Sequence, residues 1–245
     1  LKLKFSITTD PFSLPNFDTF SGIENYVSGI ETTGFLTALF WSLFITVFSV
    51  FAILVFTSMT AWYIVRVKSK FTNALYYAFV FSMIVPFQMV MFTMSKIANL
   101  LSLDNPLGLI LLYLGFGSGL SVFIFSGFVK SIPKEIEEAA VVDGCDPIKM
   151  FFSVIFPILR PTAVTVAILN AMWIWNDFLL PYLVLDTRKY KTISIVVQYM
   201  KGSYGRVDMG AIMAALIMAV IPVIIFYLLC QKHIIKGVAA GAVKG

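Results

Sequence analysis

The sequence predicts an all-α integral membrane protein, built as a helical bundle of about five transmembrane helices. Of its 245 residues, 59% are hydrophobic and only 13% are charged, against roughly 45–50% and about 25% in soluble domains. So few charges cannot solvate the outside of a soluble domain of this size, so apolar side chains must also face lipid. Five apolar runs reach the length of about 20 residues that a helix needs to cross the bilayer core. They occupy residues 35–65, 75–94, 107–128, 161–185 and 209–231.

These runs show no two-residue alternation, which favours helices over a barrel because backbone groups in lipid must be satisfied internally. The first run exceeds the bilayer thickness, so this helix can tilt or project. The second contains Pro86, where a helix can break. The third contains Gly115, Gly117 and Gly119, which we interpret as allowing close helix packing.

Loop charges orient the helices. Arg66, Lys68 and Lys70 follow the first run and indicate a cytoplasmic loop. Because successive helices cross the membrane in opposite directions, the loops alternate between its two sides. The cytoplasmic segments are then residues 129–160 and the tail 232–245. The outside segments are residues 1–34, 95–106 and 186–208. The basic residues of 186–208 conflict with this assignment, which we retain because the charges of 129–160 agree with it. An outside N-terminal segment requires a helix before it, so we expect a sixth span to precede residue 1.

Several function classes are disfavoured by composition. The net charge is +5, but the basic residues lie between apolar runs rather than in a solvated stripe, which argues against nucleic-acid binding. Cys145 and Cys230 lie far apart and His233 is the single histidine, so we expect no disulfide framework and no metal site. The sequence contains no phosphate-binding loop of the G-x-x-x-x-G-K-[ST] type. We therefore expect no cofactor and no catalysis by this chain.

The loop between the third and fourth runs, residues 131–161, carries the strongest local signals. Pro133 suits a helix start, and a run of glutamates and alanines favours a helix after it. Gly144 then breaks that helix, and Asp146-Pro147 forms a second cap with proline at the first helical position. Two short helices meeting at a glycine predict an elbow, with Ala139-Ala140 as a small-residue knob. A plain linker is the alternative, but it would not need these signals, and we favour a docking surface.

The spacing of this loop also carries a resemblance. Glu138-Ala139-Ala140 is followed by Gly144 and then by Val154-Ile155-Phe156-Pro157. This resembles the E-A-A-x3-G-x9-I-x-L-P loop of binding-protein-dependent ABC import permeases, with Val154 and Phe156 replacing Ile and Leu. Trp175-Asn176-Asp177-Phe178-Leu179-Leu180 and the ending Gly241-Ala242-Val243-Lys244-Gly245 are similar to the carbohydrate-uptake branch, the second permease of maltose-type systems.

The resemblance implies a subunit of a sugar importer in a bacterial or archaeal cytoplasmic (inner) membrane. Its loop would be the coupling helix, seated on an ATPase subunit, with ATP hydrolysed by separate chains. The implied partners are a second permease subunit, two ATPase subunits, an extracytoplasmic solute-binding protein, a sugar or oligosaccharide, and membrane lipid. The docking residues expected on this basis are Glu138, Ala139, Ala140, Asp143, Gly144, Cys145, Asp146 and Pro157.

Polar groups within the spans mark a possible substrate pathway, since they are costly in lipid and face the bundle interior or a water-filled path. Asn170, Trp173 and Asp177 fall on one helical face, with Asn176 beside them. An amide, an indole and a carboxylate suit a sugar, although a place in the outer interfacial belt is equally compatible. Gln88 follows Pro86 and is the other candidate, with a hydrogen bond to a neighbouring helix as its alternative role.

Two other functions compete with sugar import. One is import of another solute, such as a polyol phosphate or a peptide, and the carboxylate of Asp177 argues against an anionic one. The other is an ion-coupled secondary carrier, which predicts inverted repeats that we do not find. Under the importer hypothesis, the ATPase subunits close when they bind ATP. This closure moves the loop segment from Glu138 to Gly144, which rocks the helices as rigid bodies.

Overall fold

The structure, a computed structural model, describes residues 7–8, 20–202 and 209–242, of which 200–202, 209 and 232–242 are described by backbone alone. The helices of these ranges are α1 (Glu24–Thr33), α2 (Phe35–Arg66), α3 (Lys70–Ser82), α4 (Phe87–Leu100), α5 (Pro106–Val129), α6 (Lys134–Val142), α7 (Pro147–Met150), α8 (Phe156–Asn176), α9 (Leu179–Val184), α10 (Ile193–Gly202) and α11 (Met209–Ala242). A π-helical turn, Phe151–Ile155, joins α7 to α8.

The predicted class is confirmed. Among the residues that the structure describes, four helical stretches are long and apolar enough to cross a membrane: Phe35–Arg66, Pro106–Val129, Pro147–Asn176 and Gly210–Gln231. A fifth crossing is formed by α3 and α4 if the two are counted together. The core lies where α2 packs along α5 and α8, with α3 on the outer side of α5 and α11 against α1 and α8.

The second crossing is not the continuous helix predicted over residues 75–94. It divides into α3 and α4, whose axes differ by 106°. Pro86 has extended backbone, with φ −62° and ψ 135°. Proline has no N–H to donate and disfavours helical conformations at the residue before it, which favours an end of the helix at this point. The sequence prediction was wrong in this respect.

The break rests against a glycine of α5. A Cβ on Gly119 would lie 2.6 Å from Ser82 Oγ and 2.9 Å from the Phe79 carbonyl oxygen. A Cβ on Gly117 would lie 2.6 Å from Ile53 Cδ1. The close packing predicted for the glycines is therefore confirmed at Gly117 and Gly119. Around Gly115 nothing lies within 4 Å, so that position contributes no such contact.

Helix α2 shows why its sequence can both cross the membrane and hold the bundle. Its buried residues recur every three or four positions, which is one helical face. They are Phe35, Ala38, Ser42, Ile45, Ser49, Ile53, Thr57, Ser58, Ala61 and Ile64. Small and hydroxyl side chains alternate here with isoleucine, so α5 and α8 can approach closely. Large side chains on the other faces, such as Phe40, Phe51 and Phe56, are 57–64% exposed and available to lipid.

The fourth crossing differs from the predicted span, residues 161–185, at both ends. The helical path begins at Pro147, passes through the π turn and ends at Asn176. Pro157 lies in the first turn of α8, where a missing N–H costs little, and Pro161 lies inside the helix. Asp177 has extended backbone, with ψ 127°, and therefore ends α8. The remaining predicted residues form the separate short helix α9.

The N- and C-terminal predictions are only partly within the described residues. Within the predicted N-terminal segment 1–34, residues 1–6 and 9–19 lie outside the described ranges. The described remainder contains α1, which sequence analysis did not identify. Helix α1 packs closely on α11, since a Cβ on Gly29 would lie 3.1 Å from the Ala211 carbonyl oxygen. Helix α11 continues to Ala242, beyond the predicted end at residue 231. Residues 203–208, with Arg206, and residues 243–245 of the proposed sugar-branch ending lie outside the described ranges.

Candidate functional site

We call residues 134–150, comprising α6, α7 and the turn between them, the elbow. Its turn depends on Gly144, which has a φ of 78°. That left-handed conformation costs other residues about 1–2 kcal/mol, so glycine is the residue that fits without strain. The N–H groups of Gly144 and Cys145 donate to the carbonyl oxygens of Val141 and Ala140, both at 3.0 Å, and so complete the end of α6. The predicted glycine corner between two helices is confirmed.

The second arm of the elbow begins with a side-chain cap. Asp146 Oδ1 accepts hydrogen bonds from the N–H groups of Ile148 and Lys149, at 2.9 and 3.0 Å. Pro147 occupies the first helical turn, where its missing N–H leaves no bond unmade. The predicted cap is confirmed, and it fixes the start of the second arm directly after the glycine turn.

The elbow has an inner and an outer face. Ala140 is 6% exposed and belongs to the buried cluster that also contains Met150 and Phe151, with Cys145 packed at its edge. Ala140 is therefore not part of an outward knob, because its small side chain lets α6 lie close to the π turn. The exposed face carries five of the other predicted docking residues: Glu138, Ala139, Asp143, Gly144 and Asp146. Three apolar side chains join them there, Val141, Val142 and Ile148, at 60%, 87% and 65% exposure. Pro157 is also exposed, but it lies in α8, outside the elbow.

An ion pair fastens the elbow to the end of α2. Arg66 Nε donates to Glu137 Oε1 at 2.7 Å, and Arg66 Nη2 donates to the Ile132 carbonyl oxygen at 2.9 Å. Both side chains are mostly buried, at 15% and 13% exposure. One turn earlier on α2, the ring of Trp62 lies 5.7 Å from that of Phe151 in the π turn. Sequence analysis had interpreted Arg66 only as a loop charge, and no local pattern links it to Glu137.

At the opposite end of the bundle, the structure brings together Tyr113, Trp173 and Asp177, which we call the outer cluster. The hydroxyl of Tyr113 donates to Asp177 Oδ2 at 3.0 Å. Asp177 Oδ1 accepts from the N–H groups of Leu179 and Leu180, at 3.0 and 3.4 Å. The rings of Tyr113 and Trp173 meet edge to face with centroids 5.4 Å apart. Asp177 is thus a capping residue beyond α8 rather than a member of its helical face.

The other residues proposed for that face point different ways. Asn170 is 5% exposed and its amide donates to Ser121 Oγ at 3.1 Å and to the Val166 carbonyl at 2.9 Å. It lies between α5 and α8 and so serves their packing in this structure. Trp173 is 42% exposed. Asn176 is exposed, and its amide donates to the Met172 carbonyl oxygen at 2.7 Å.

Gln88 lies on the first turn of α4, directly after the break. Its side chain is exposed and makes no hydrogen bond with any residue that the structure describes. The alternative role considered for it, a bond to a neighbouring helix of this chain, is therefore not seen among those residues. The break at Pro86 is what presents Gln88 to the surface of the chain.

Sequence analysis did not identify a set of rings beside the outer cluster. Phe178 and Tyr182 are stacked with centroids 5.0 Å apart, and Tyr182 lies 6.1 Å from Tyr199. Tyr182 and Tyr199 are 43% and 48% exposed. The four-residue spacing of Phe178 and Tyr182 was a visible signal for the first pair. In the parts of the chain that the structure describes, no group of three or more His, Cys, Asp or Glu side chains could hold a metal ion.

Comparison with known proteins agrees with this arrangement. The family described as binding-protein-dependent transport system inner membrane component matches residues 53–240. The probable starch degradation products transport system permease protein AmyC of Thermoanaerobacterium thermosulfurigenes is 38% identical over 244 residues, which is 99% of this chain and 87% of that protein. The multiple sugar-binding transport system permease protein MsmG of Streptococcus mutans is 39% identical over 210 residues, 84% of this chain and 76% of that protein.

A solved structure shares the fold. A chain in the crystal structure of a bacterial ABC transporter involved in the import of the acidic polysaccharide alginate superposes with a TM-score of 0.80. The match covers 94% of this chain and 88% of that one, at 20% sequence identity. The bent pair of helices and the elbow described above thus belong to a fold that is known in an importer.

Proposed function

This chain belongs to the binding-protein-dependent transport system inner membrane component family, and from that premise we propose how its two sites act. It is a multi-pass inner membrane protein and the translocation subunit of an ABC importer for sugars or oligosaccharides. It works with other ABC components and is a transport subunit rather than an enzyme. We propose that the elbow docks an ATPase subunit and that the outer cluster lies on the sugar pathway.

The exposed face of the elbow is the observation that carries the docking proposal. Val142 and Ile148 are 87% and 65% exposed on a segment that also presents Glu138 and Asp143. Apolar side chains bordered by charged ones are typical of the centre and rim of a protein interface. This face also lies beyond the end of α2, away from the apolar surface that contacts lipid. A basic-rimmed apolar cleft on an ATPase subunit is the complementary partner.

The inner face of the elbow explains how docking could move the bundle. Ala140 and Met150 are buried against the π turn that continues into α8. Arg66 holds the same segment to α2 through Glu137. A displacement of the elbow by an ATPase that closes on ATP therefore passes directly to α2 and α8. Packed helices move as rigid bodies when one end is displaced. This rocking would open the pathway alternately to the outside and to the cytoplasm.

We assign the outer cluster to the sugar pathway with a division of roles. Trp173 offers an exposed ring on which an apolar sugar face can stack, and Asn176 offers an exposed amide for hydroxyl groups. The oxygens of Asp177 already accept from Tyr113, Leu179 and Leu180. Asp177 is therefore a positioning residue that holds the Tyr113 ring against Trp173. The named relatives carry sugars, and a neutral sugar or oligosaccharide is the proposed cargo.

The proposed assembly contains a second permease subunit, two ATPase subunits and an extracytoplasmic solute-binding protein. Helices α3 and α4 support a partner within the membrane. Among the residues of α4, only Ala98 is buried, and Met89, Phe92 and Leu100 are 72–77% exposed. A bent helix pair with so little burial needs a neighbour to cover the backbone groups freed at the break.

The test is affinity purification of the tagged chain with its native partners, followed by ATPase assay with and without the solute-binding protein. Glu138→Lys reverses a charge on the exposed elbow face, and Lys68→Glu reverses a charge on the exposed loop after α2, outside the elbow. Recovery of an ATPase and a second permease, with coupling lost in Glu138→Lys and retained in Lys68→Glu, is expected. Isolation of this chain alone, with sugar flux that is independent of ATP, would instead indicate a secondary carrier.

A further inference from the structure

A long groove runs down the outside of the bundle between α2, α8 and α11. Its upper part is a cavity of about 330 Å³ whose walls include Leu43, Leu54, Ala167, Trp175 and Phe226. Its lower part is a second cavity of about 330 Å³ that shares Leu54 and Ala167 with the first. The two cavities therefore adjoin at Leu54 and Ala167. Because Val47 and Phe51 on its rim are 59% and 64% exposed, the groove opens toward lipid rather than toward the outer cluster.

The lower end of the groove carries a positive charge. Arg160 is one of the residues that line the second cavity, and its side chain is exposed. It makes no ion pair with any residue in the described part of the chain. The rest of that cavity is lined by apolar residues, including Phe156, Pro157 and Val164. An apolar channel that ends at an unpaired guanidinium matches a molecule with a hydrocarbon chain and an anionic head.

The groove is long enough to hold an acyl chain. From Leu54 to Leu43 the α2 helix rises about 16 Å at 1.5 Å per residue, and half of the hydrocarbon core is about 15 Å. Arg160 lines the part of the groove that is nearer the elbow. In the orientation proposed above, that part faces the cytoplasmic leaflet, where anionic lipids concentrate.

We propose that this groove is a specific site for one anionic phospholipid of the cytoplasmic leaflet. Its acyl chain lies along α8 between α2 and α11, and its phosphate pairs with Arg160. The occupied site fills space between three crossing helices, so the lipid supports their packing. The proposal rests on the orientation of the chain and is independent of which sugar is carried.

The experiment uses the complete importer in nanodiscs of either phosphatidylglycerol or phosphatidylcholine. A photoreactive benzoylphenylalanine replaces Met172, a partly exposed residue of the groove wall. The same residue in place of Phe48, which is 49% exposed on α2 and outside the groove, reports ordinary lipid contact. Crosslinked lipid on this chain is quantified by mass spectrometry.

At position 172 we expect phosphatidylglycerol to crosslink about fivefold more than phosphatidylcholine, the effect of one basic residue near an anionic surface. Arg160→Gln should abolish the preference, Arg160→Lys should retain it, and Lys68→Gln, which removes an exposed cation of the loop after α2, should leave it unchanged. At position 48 the two lipids should crosslink equally. Equal crosslinking at position 172, a preference that survives Arg160→Gln, or crosslinks to another protein chain would each overturn the proposal.

Discussion

Arg66 and Glu137 form an ion pair at 2.7 Å between residues 71 positions apart in the chain. The same guanidinium also donates to the Ile132 carbonyl oxygen at 2.9 Å. Exposed ion pairs contribute little, because water and salt screen them. This pair is mostly buried, so losing one partner leaves a charge that water reaches poorly. Its position makes it the polar link between the elbow and the first membrane crossing.

Replacing Arg66 should separate the elbow from α2. We expect Arg66→Gln to lower the stability of the purified complex by about 1–3 kcal/mol, the range for a charged hydrogen bond left unmade. Transport should fall more than ATPase activity does, because the elbow still docks but transmits its motion less well. Thermal unfolding and the ratio of transport to hydrolysis measure the two effects.

The matched control is Lys68→Gln, which removes an exposed cation from the same loop. It should change neither quantity. The double variant Arg66→Gln with Glu137→Gln should recover part of the stability, since no buried charge is then unpaired. Equal behaviour of Arg66→Gln and Lys68→Gln would show that the ion pair has no coupling role.

Gly144 should tolerate no side chain, although space is open around it. Nothing lies within 4 Å of a Cβ at this position, yet its φ is 78°. Gly144→Ala should therefore cost about 1–2 kcal/mol of backbone strain, which the turn can relieve by changing the angle between α6 and α7. We expect several-fold lower transport at unchanged membrane levels, measured in cells and in proteoliposomes.

Gly127→Ala provides the comparison for that substitution. Gly127 also has nothing within 4 Å of its Cβ but lies in helix α5 without a positive φ. Alanine there should be neutral or stabilising, because it is the better helix former. If both alanine variants transport alike, the conformation of the elbow turn does not matter for coupling.

Gly119 should be required for the bent pair of helices to pack. A Cβ would meet Ser82 Oγ at 2.6 Å, Met83 Cγ at 2.8 Å and the Phe79 carbonyl at 2.9 Å. Because one of these is a backbone atom, the break itself must shift. Gly119→Ala should destabilise the protein by about 1–3 kcal/mol, as overpacking does. Gly115→Ala, with nothing within 4 Å, should not. A melting temperature that falls equally in both variants would contradict the packing shown here.

Trp173 should contribute to transport through its ring. An aromatic contact is worth about 0.5–1.5 kcal/mol beyond its buried area, which corresponds to a loss of about 2- to 12-fold. Trp173→Ala should reduce uptake at limiting sugar within that range, and Trp173→Phe should retain most of it. Phe48→Ala, on the exposed side of α2, controls for loss of an aromatic residue. Uptake unaffected by Trp173→Ala would remove this residue from the pathway.

Sequence patterns predicted the elbow well because its determinants are local. Gly144 and Asp146 act on their own backbone and on the two or three residues after them, so neighbouring residue types suffice to infer the turn and the cap. The same applies to α5, where glycine spacing indicated close packing. Its actual neighbours, Ser82 and Ile53, come from distant parts of the chain and could not be inferred.

Hydropathy predicted the number of crossings but not their breaks. Apolar runs lie on both sides of the Asn176-Asp177 pair, so an averaged profile continues through a point where the backbone becomes extended. Pro86 was visible, but proline can either kink a helix or end it, and residue type alone does not give the 106° bend between α3 and α4. The Arg66–Glu137 pair had no local signal at all, since only the fold brings the two together.

The uninterrupted helical path from Pro147 to Asn176 has a mechanical consequence. Pro147 belongs to the elbow, and Trp173, on the same path, lies about 39 Å along the axis at 1.5 Å per residue. A tilt of about 10° about the elbow end would swing Trp173 sideways by about 7 Å, by the same geometry. One helical path therefore connects the elbow to the outer cluster. A small rotation at the elbow becomes, at the outer cluster, a displacement comparable to the width of a sugar ring.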